Sequence, residues 1–192
     1  MSLAHNHHHE MHGALTTRAA IASVSMALFL LVLKIFAAAE TGSVALLGSL
    51  ADTGFDVLAS LLTLFSVRYA ARPADDNHRF GHGKAEALSA LIQVVLVIVS
   101  AILIGWRAVD RLGSGETTAH PEYGIGVSII AIAATLGLLA YQRYVVRKTG
   151  SVAIHADHVH YQSDLLLNIA VIIGIALETI LHVRGADPVF GI

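Results

Sequence analysis

The sequence contains no cysteine among its 192 residues. Disulfides and thiolate metal sites are therefore excluded, and any metal has to be held by histidine and carboxylate groups. Charged residues are also scarce, at 14% against about 25% in soluble domains, while 55% of residues are hydrophobic and the mean hydropathy is +0.68. The net charge of −2 gives no electrostatic reason to expect nucleic acid as a partner. These totals predict a membrane protein in contact with lipid.

Long apolar segments separated by polar turns predict an all-α fold. About 20 apolar residues in a helix cross the hydrocarbon core of a bilayer. We expect residues 1–14, which hold five histidines, to be a polar cytoplasmic tail, and residues 15–192 to be the transmembrane domain. An apolar run at 188–192 indicates the start of a sixth helix, so we expect a six-helix bundle truncated there. The five complete helices are predicted at residues 15–39, 43–71, 82–107, 121–146 and 151–183.

Basic residues at the ends of the apolar segments predict the orientation, since cytoplasmic loops carry an excess of lysine and arginine. The side that includes the N-terminus holds eight such residues, and the opposite side holds three. We therefore expect the N-terminus to lie in the cytoplasm. The eight are Arg18, Arg68, Arg72, Arg79, Lys84, Arg143, Arg147 and Lys148, and the three are Arg107, Arg111 and Arg184.

Two pairs of ionisable residues interrupt the apolar segments: Asp52 with Asp56, and His160 with Asp164. Members of each pair are four residues apart and share a helix face. Ionisable groups in such segments are costly and mark ion pathways. If the second and fifth helices pack together, three carboxylates and one imidazole supply four ligands. This set suits tetrahedral Zn²⁺ better than Ca²⁺ or Mg²⁺, while Cd²⁺, Fe²⁺, Co²⁺ and Mn²⁺ remain possible.

Two further ionisable residues flank these pairs. Lys34 is the only basic residue well inside a predicted span, and we expect it to extend to the membrane interface rather than to neutralise an aspartate. Asp157 shares the face of His160 and Asp164. It either attracts cations toward the pair or is a solvated residue at the start of the helix.

The ligand chemistry predicts competition between metal and protons, because histidine and carboxylate groups lose protons when they bind metal. A protein that exposes the four ligands to each side of the membrane in turn would exchange metal for protons. A membrane metalloenzyme is one alternative, although four protein ligands leave no open position for water and the sequence has no His-Glu-x-x-His motif. A metal sensor or scaffold that binds without transport is the other.

The polar connection at residues 72–86 contains Asp75, His78 and His82, spaced D-x-x-H-x-x-x-H. Spacing alone favours a solvated turn. Together with Asp52-x-x-x-Asp56 and His160-Tyr-Gln-Ser-Asp164, however, the connection and its Phe-Gly-His-Gly-Lys phrase at 80–84 resemble the cation diffusion facilitator family. The resemblance runs in order along nearly the whole chain.

The family resemblance implies a homodimeric secondary transporter in the cell's inner membrane, not an enzyme, that exports divalent metal against protons. It implies that the four paired residues form the transport site and that Asp75, His78 and His82 bind a second metal. Histidine in the fifth-helix pair resembles the zinc and cadmium carriers. The family pattern continues into a cytoplasmic C-terminal domain, which we expect to be absent from this chain.

Overall fold

The described part of the chain folds into five helices. The structure is a computed structural model, and it describes the backbone of residues 2–41, 44–114 and 121–181. The helices are α1 (Ser2–Thr41), α2 (Val44–Ala70), α3 (Lys84–Ser114), α4 (Pro121–Thr149) and α5 (Val152–Leu181). The described residues contain no strand, so the predicted all-α class is confirmed. The predicted start of a sixth helix lies outside the described residues.

Helix α1 begins thirteen residues before the predicted first span. We expected residues 1–14 to be a tail, but the backbone is helical from Ser2. Helix propagation adds one hydrogen bond for each residue ordered, so an established apolar helix extends readily into a polar tract that lacks proline. Gly13 lies at a close approach to the end of α2, where an added β-carbon would be 3.3 Å from that of Ala71.

Three of the helices are long and apolar enough to cross a membrane within the described residues: Met11–Glu40, Lys84–Trp106 and Ile125–Thr149. The middle one, in α3, buries little of its surface inside the bundle. Its outward apolar side chains, which include Leu91, Val94 and Ile98, are exposed. Such a surface fits hydrocarbon rather than water. The chain is therefore a multi-pass membrane protein.

Small residues bring α1, α2, α4 and α5 together. The main apolar cluster joins Ala19, Leu64, Val145 and Ile154, one from each of these helices. Alanine and serine at helix contacts let backbones approach closely, which is the usual way helices pack in a bilayer. This packing places α2 beside α5, the two helices that carry the paired ionisable residues.

A short turn sets α5 antiparallel to α4. Gly150 adopts a positive φ of 68°, which only glycine adopts without strain, and it ends α4. Ser151 then caps α5, since its Oγ accepts a hydrogen bond from the backbone N–H of Ile154 at 3.3 Å. The same hydroxyl donates to Glu86 at 2.6 Å and so connects the start of α5 to α3.

Candidate metal sites

The interior cluster lies where α2 faces α5. Asp56, His160 and Asp164 each offer a ligand atom, and these atoms all lie within 4.8 Å of one another. His160 Nε2 is 3.2 Å from Asp56 Oδ1 and 3.7 Å from Asp164 Oδ2. The side chain of His160 is 5% exposed, and its Nε2 makes no hydrogen bond. A buried nitrogen that faces two carboxylates without a hydrogen bond is arranged as a metal ligand would be.

Asp52, the fourth predicted ligand, lies one turn before Asp56 on α2. Its side chain is half-buried, but it does not belong to the cluster of ligand atoms within 4.8 Å. The structure thus brings together three of the four residues that the sequence predicted for this site. An ion bound by these three would have two carboxylate oxygens and one imidazole nitrogen, with a further position for Asp52 or water.

Lys34 lies inside the bundle, and the expectation that it extends to the membrane interface is wrong. Its Nζ donates a hydrogen bond of 2.7 Å to the hydroxyl of Thr53, which is fully buried on α2. The Lys34 ammonium also interacts electrostatically with Asp164. A buried hydroxyl and a nearby carboxylate stabilise the ammonium within the bundle, so the Lys34 side chain does not extend to the headgroups.

Asp157 is fully buried, so the interpretation as a solvated helix start is wrong. Its carboxylate accepts hydrogen bonds from Gln142 Nε2 at 2.7 Å and, more weakly, from Thr63 Oγ1 at 3.5 Å. Gln142 also donates to Ser23 Oγ at 3.0 Å, and Gln93 donates to Thr63. These five residues, which we call the Asp157 network, connect all five helices one turn away from His160.

Tyr161 joins this network to the ligands. Its hydroxyl lies 3.0 Å from Ser60 Oγ and donates to the backbone carbonyl of Ser23 at 2.9 Å. Its ring packs edge to face against that of His160, with 5.8 Å between centroids. Because Tyr161 is buried and its hydroxyl makes two hydrogen bonds, its ring restricts the orientation of the adjacent His160 ring.

The second cluster, Asp75, His78 and His82, lies on the loop between α2 and α3. Their ligand atoms also fall within 4.8 Å of one another. Asp75 contacts His78 Nδ1 at 3.0 Å and His82 Nε2 at 3.5 Å. His82 is buried against the ring of Tyr69, with 4.6 Å between centroids, whereas the other two ligands are exposed. The three residues are therefore gathered in a turn that is open on one side.

Backbone hydrogen bonds fix the loop cluster. The N–H groups of Asn77 and His78 both donate to Asp75 Oδ1, at 3.1 and 2.6 Å. Gly81 then takes a φ of 77° and lets the chain turn back so that His82 approaches Asp75. The backbone bond from His78 is the main cause that lowers the pKa of Asp75 below its usual value of 3.8. Asp75 is therefore ionised at neutral pH, as a metal ligand must be.

The fold and the two clusters define a helical membrane protein with one interior and one surface group of histidine and aspartate residues that could hold a metal ion. The family described as the cation efflux transmembrane domain matches residues 20–192. The chain belongs to this family, which confirms the resemblance predicted from the sequence.

Two similar proteins are both named cation-efflux pump FieF. The one from Salmonella arizonae is 47% identical over 169 residues, which cover 88% of this chain and 56% of that protein. The one from Yersinia pestis is 47% identical over 174 residues, which cover 91% and 58%. The chain thus spans a little over half the length of the curated relatives that it matches.

The Asp157 network was missed at the sequence level. A signal was present, because Ser23, Thr63, Gln93 and Gln142 are polar residues within apolar runs. Each is compatible with a helix surface, and their convergence depends on how four helices rotate about their axes. Sequence periodicity does not specify those rotations.

Proposed function

We propose that this chain is the transmembrane part of an exporter of divalent metal, with Zn²⁺ as the preferred cargo and Cd²⁺ and Fe²⁺ as further substrates. The observation that carries the proposal is the interior cluster of Asp56, His160 and Asp164, whose ligand atoms lie within 4.8 Å of one another. The similar proteins are named cation-efflux pumps, which is consistent with this cargo.

The charges at the interior cluster favour a divalent cation. Two carboxylates that face each other across a buried imidazole repel, and a cation between them reverses that repulsion. The donors are nitrogen and oxygen only, which suits Zn²⁺, Fe²⁺, Co²⁺ and Mn²⁺ and excludes a thiolate-type site. We propose Asp52 as the fourth ligand, supplied when α2 moves by a fraction of a turn.

Proton exchange follows from the same ligands. His160 and the carboxylates bind protons when the metal has left, and these protons have to leave before metal binds again. We propose that the site opens alternately to the cytoplasm and to the outside, so that metal moves out and protons move in. The driving force is then the proton gradient, which makes the protein a secondary transporter and not an enzyme.

The loop cluster has a separate role in this proposal. Asp75, His78 and His82 bind a second metal at the cytoplasmic surface, and the N-terminus lies on the same side of the inner membrane. The full-length protein works as a homodimer. Because the loop cluster is open on one side, its metal exchanges with solvent without passing through the bundle.

Transport by the chain in proteoliposomes tests the proposal. Zn²⁺ flux should rise at least severalfold when a pH gradient is imposed, and Asp56→Asn should abolish flux. Asp76→Asn is a matched control, because it removes an exposed carboxylate next to the loop cluster. Zn²⁺ binding without flux would favour a sensor or scaffold, and flux that ignores the gradient would contradict proton exchange.

His160→Asp tests the metal preference. An all-carboxylate site lacks the imidazole that suits Zn²⁺, so flux should shift toward Mn²⁺ or Fe²⁺ relative to Zn²⁺. An unchanged ratio of these fluxes would show that His160 does not determine the choice of metal.

A further inference from the structure

A cleft opens on the outer surface of the bundle where α2 ends and α3 begins. Its volume is about 590 Å³. Leu62 and Phe65 form the α2 wall, and Leu88 and Ile92 form the α3 wall. Phe65 is 66% exposed and Leu88 is 59% exposed, so these apolar side chains face outward rather than into the core. No residue of either metal cluster lines the cleft, although Tyr69 on its wall packs against His82.

Two arginines stand at the rim of this cleft. Arg68 and Arg72 are four residues apart at the end of α2 and both are exposed. The Arg72 guanidinium lies 5.2 Å from the centre of the Tyr69 ring, which holds it beside the cleft. Within the described part of the chain, neither arginine forms an ion pair. The rim therefore presents two positive charges beside the apolar walls of the cleft.

Two acidic residues near the rim, Glu86 and Asp75, interact with groups other than the two arginines. Glu86, at the start of α3, accepts a hydrogen bond from Ser151 on α5 at 2.6 Å. Asp75 accepts hydrogen bonds from the loop backbone and contacts His78. Among the side chains that the structure describes, neither of these carboxylates pairs with Arg68 or Arg72, so the cleft combines apolar walls with a basic rim.

We infer that this cleft binds an anionic phospholipid, with its phosphate on Arg68 and Arg72 and an acyl chain along the apolar walls. Guanidinium groups bind phosphate through paired N–H donors. The second span is predicted to end at residue 71, so we expect the rim at the depth of lipid headgroups. A soluble anion would leave the apolar walls unused. A second copy placed there about a two-fold axis would bring four arginines together.

Lipid selectivity tests the inference. The full chain is reconstituted in nanodiscs that contain mixtures of phosphatidylglycerol and phosphatidylcholine, and retained lipids are counted by native mass spectrometry after release. The wild type should prefer phosphatidylglycerol on the order of tenfold, because each basic residue near the surface attracts anionic lipid. The double variant Arg68→Gln/Arg72→Gln should lose this preference.

Arg143→Gln/Arg147→Gln is the matched control. This pair has the same spacing near the end of α4, is also exposed, and does not line the cleft. The control should keep the preference of the wild type. An equal loss in both double variants would mean diffuse surface attraction and would overturn the inference, as would a wild type that binds both lipids equally.

A single thiol distinguishes the possible occupants without altering the arginines. The sequence has no cysteine, so Leu88→Cys introduces the only thiol, on the wall of the cleft. A thiol-reactive phosphatidylglycerol should label Cys-containing protein at least severalfold more than its phosphatidylcholine analogue. Disulfide-linked dimers without lipid labelling would identify a second copy, and complete competition by glycerol phosphate would identify a soluble anion. Either result would overturn the inference.

Discussion

Replacing Lys34 by methionine removes a positive charge from the interior of the bundle while keeping a side chain of similar length. Lys34 donates a hydrogen bond to Thr53, which lies between Asp52 and Asp56 on α2. The ammonium therefore lies near any cation held by Asp56, His160 and Asp164. Like charges repel, so we expect Lys34→Met to bind Zn²⁺ more tightly than the wild type.

The expected size of the effect follows from the geometry. Thr53 and Asp56 are three residues apart on one helix, so their β-carbons lie about 5–6 Å apart. With the ammonium 2.7 Å from the Thr53 hydroxyl, a metal bound to Asp56 lies at about 8 Å from it by the same helix geometry. At an effective dielectric constant of about 20, the repulsion is about 4 kcal/mol. If side-chain movement and water screening halve this repulsion, about 2 kcal/mol remains. Lys34→Met should then lower the Kd for Zn²⁺ about 30-fold.

Competition with a chromophoric zinc chelator at fixed pH and ionic strength measures the change in Kd. Lys34→Arg keeps the charge and should stay within about threefold of the wild type. Lys148→Met removes an exposed lysine at the end of α4 and should also have little effect. If Lys34→Met binds Zn²⁺ with unchanged or weaker affinity, the ammonium does not oppose the metal and the electrostatic argument is refuted.

Two other predictions concern the Asp157 network and the loop. Asp157→Leu removes the acceptor of one buried N–H of Gln142 and should lower the free energy of unfolding by about 3 kcal/mol. Asp157→Asn keeps an acceptor and should cost about 1 kcal/mol. Equal losses of the two variants in detergent unfolding would contradict this role. The lowered pKa of Asp75 lies below its value in the unfolded chain, so its bonds stabilise the loop at neutral pH and are lost as pH falls below 3.8. Below pH 3.8, hydrogen exchange of the Asn77 and His78 amides should therefore accelerate relative to their intrinsic rates. Asp75→Asn should abolish this pH dependence of the exchange.

The helices and the spacing of the paired ionisable residues were predictable because their signals are local. Apolar runs of about 20 residues specify spans, and a spacing of four places Asp52 with Asp56, and His160 with Asp164, on one face of a helix. The predicted bounds of α2 through α5 differ from those in the structure by at most seven residues. The sequence also identified the three residues of the loop cluster, although their contacts depend on the positive φ of Gly81.

The positions of Lys34 and Asp157 were not predictable from local signals. A lysine near the end of an apolar run is compatible with either the interface or the interior, and its environment depends on which face of α1 packs against α2. The environment of Asp157 was equally unpredictable, because the residues around it are distant in sequence. Gln142, which bonds it, lies fifteen residues earlier, and Ser23, which also bonds Gln142, lies on α1. Whether a polar side chain in an apolar run faces the interior or the lipid depends on how its helix is rotated about its axis. Only tertiary contacts define that rotation.

The contacts between α2 and α5 change in character along the bundle. Toward the loop side, the Asp157 network and the apolar cluster hold the two helices together through buried hydrogen bonds and packing. One turn farther along α5, the facing groups are the carboxylates of Asp56 and Asp164 with His160 between them. The force between the helices at that level therefore depends on what is bound. It is repulsive between unprotonated carboxylates, attractive around a divalent cation, and changed again by the protons that replace the cation. Because the network bonds contain no metal ligand, they persist when the metal leaves and provide a fixed point about which the ligand-bearing segments can separate. This asymmetry gives the proposed alternating exposure a physical basis.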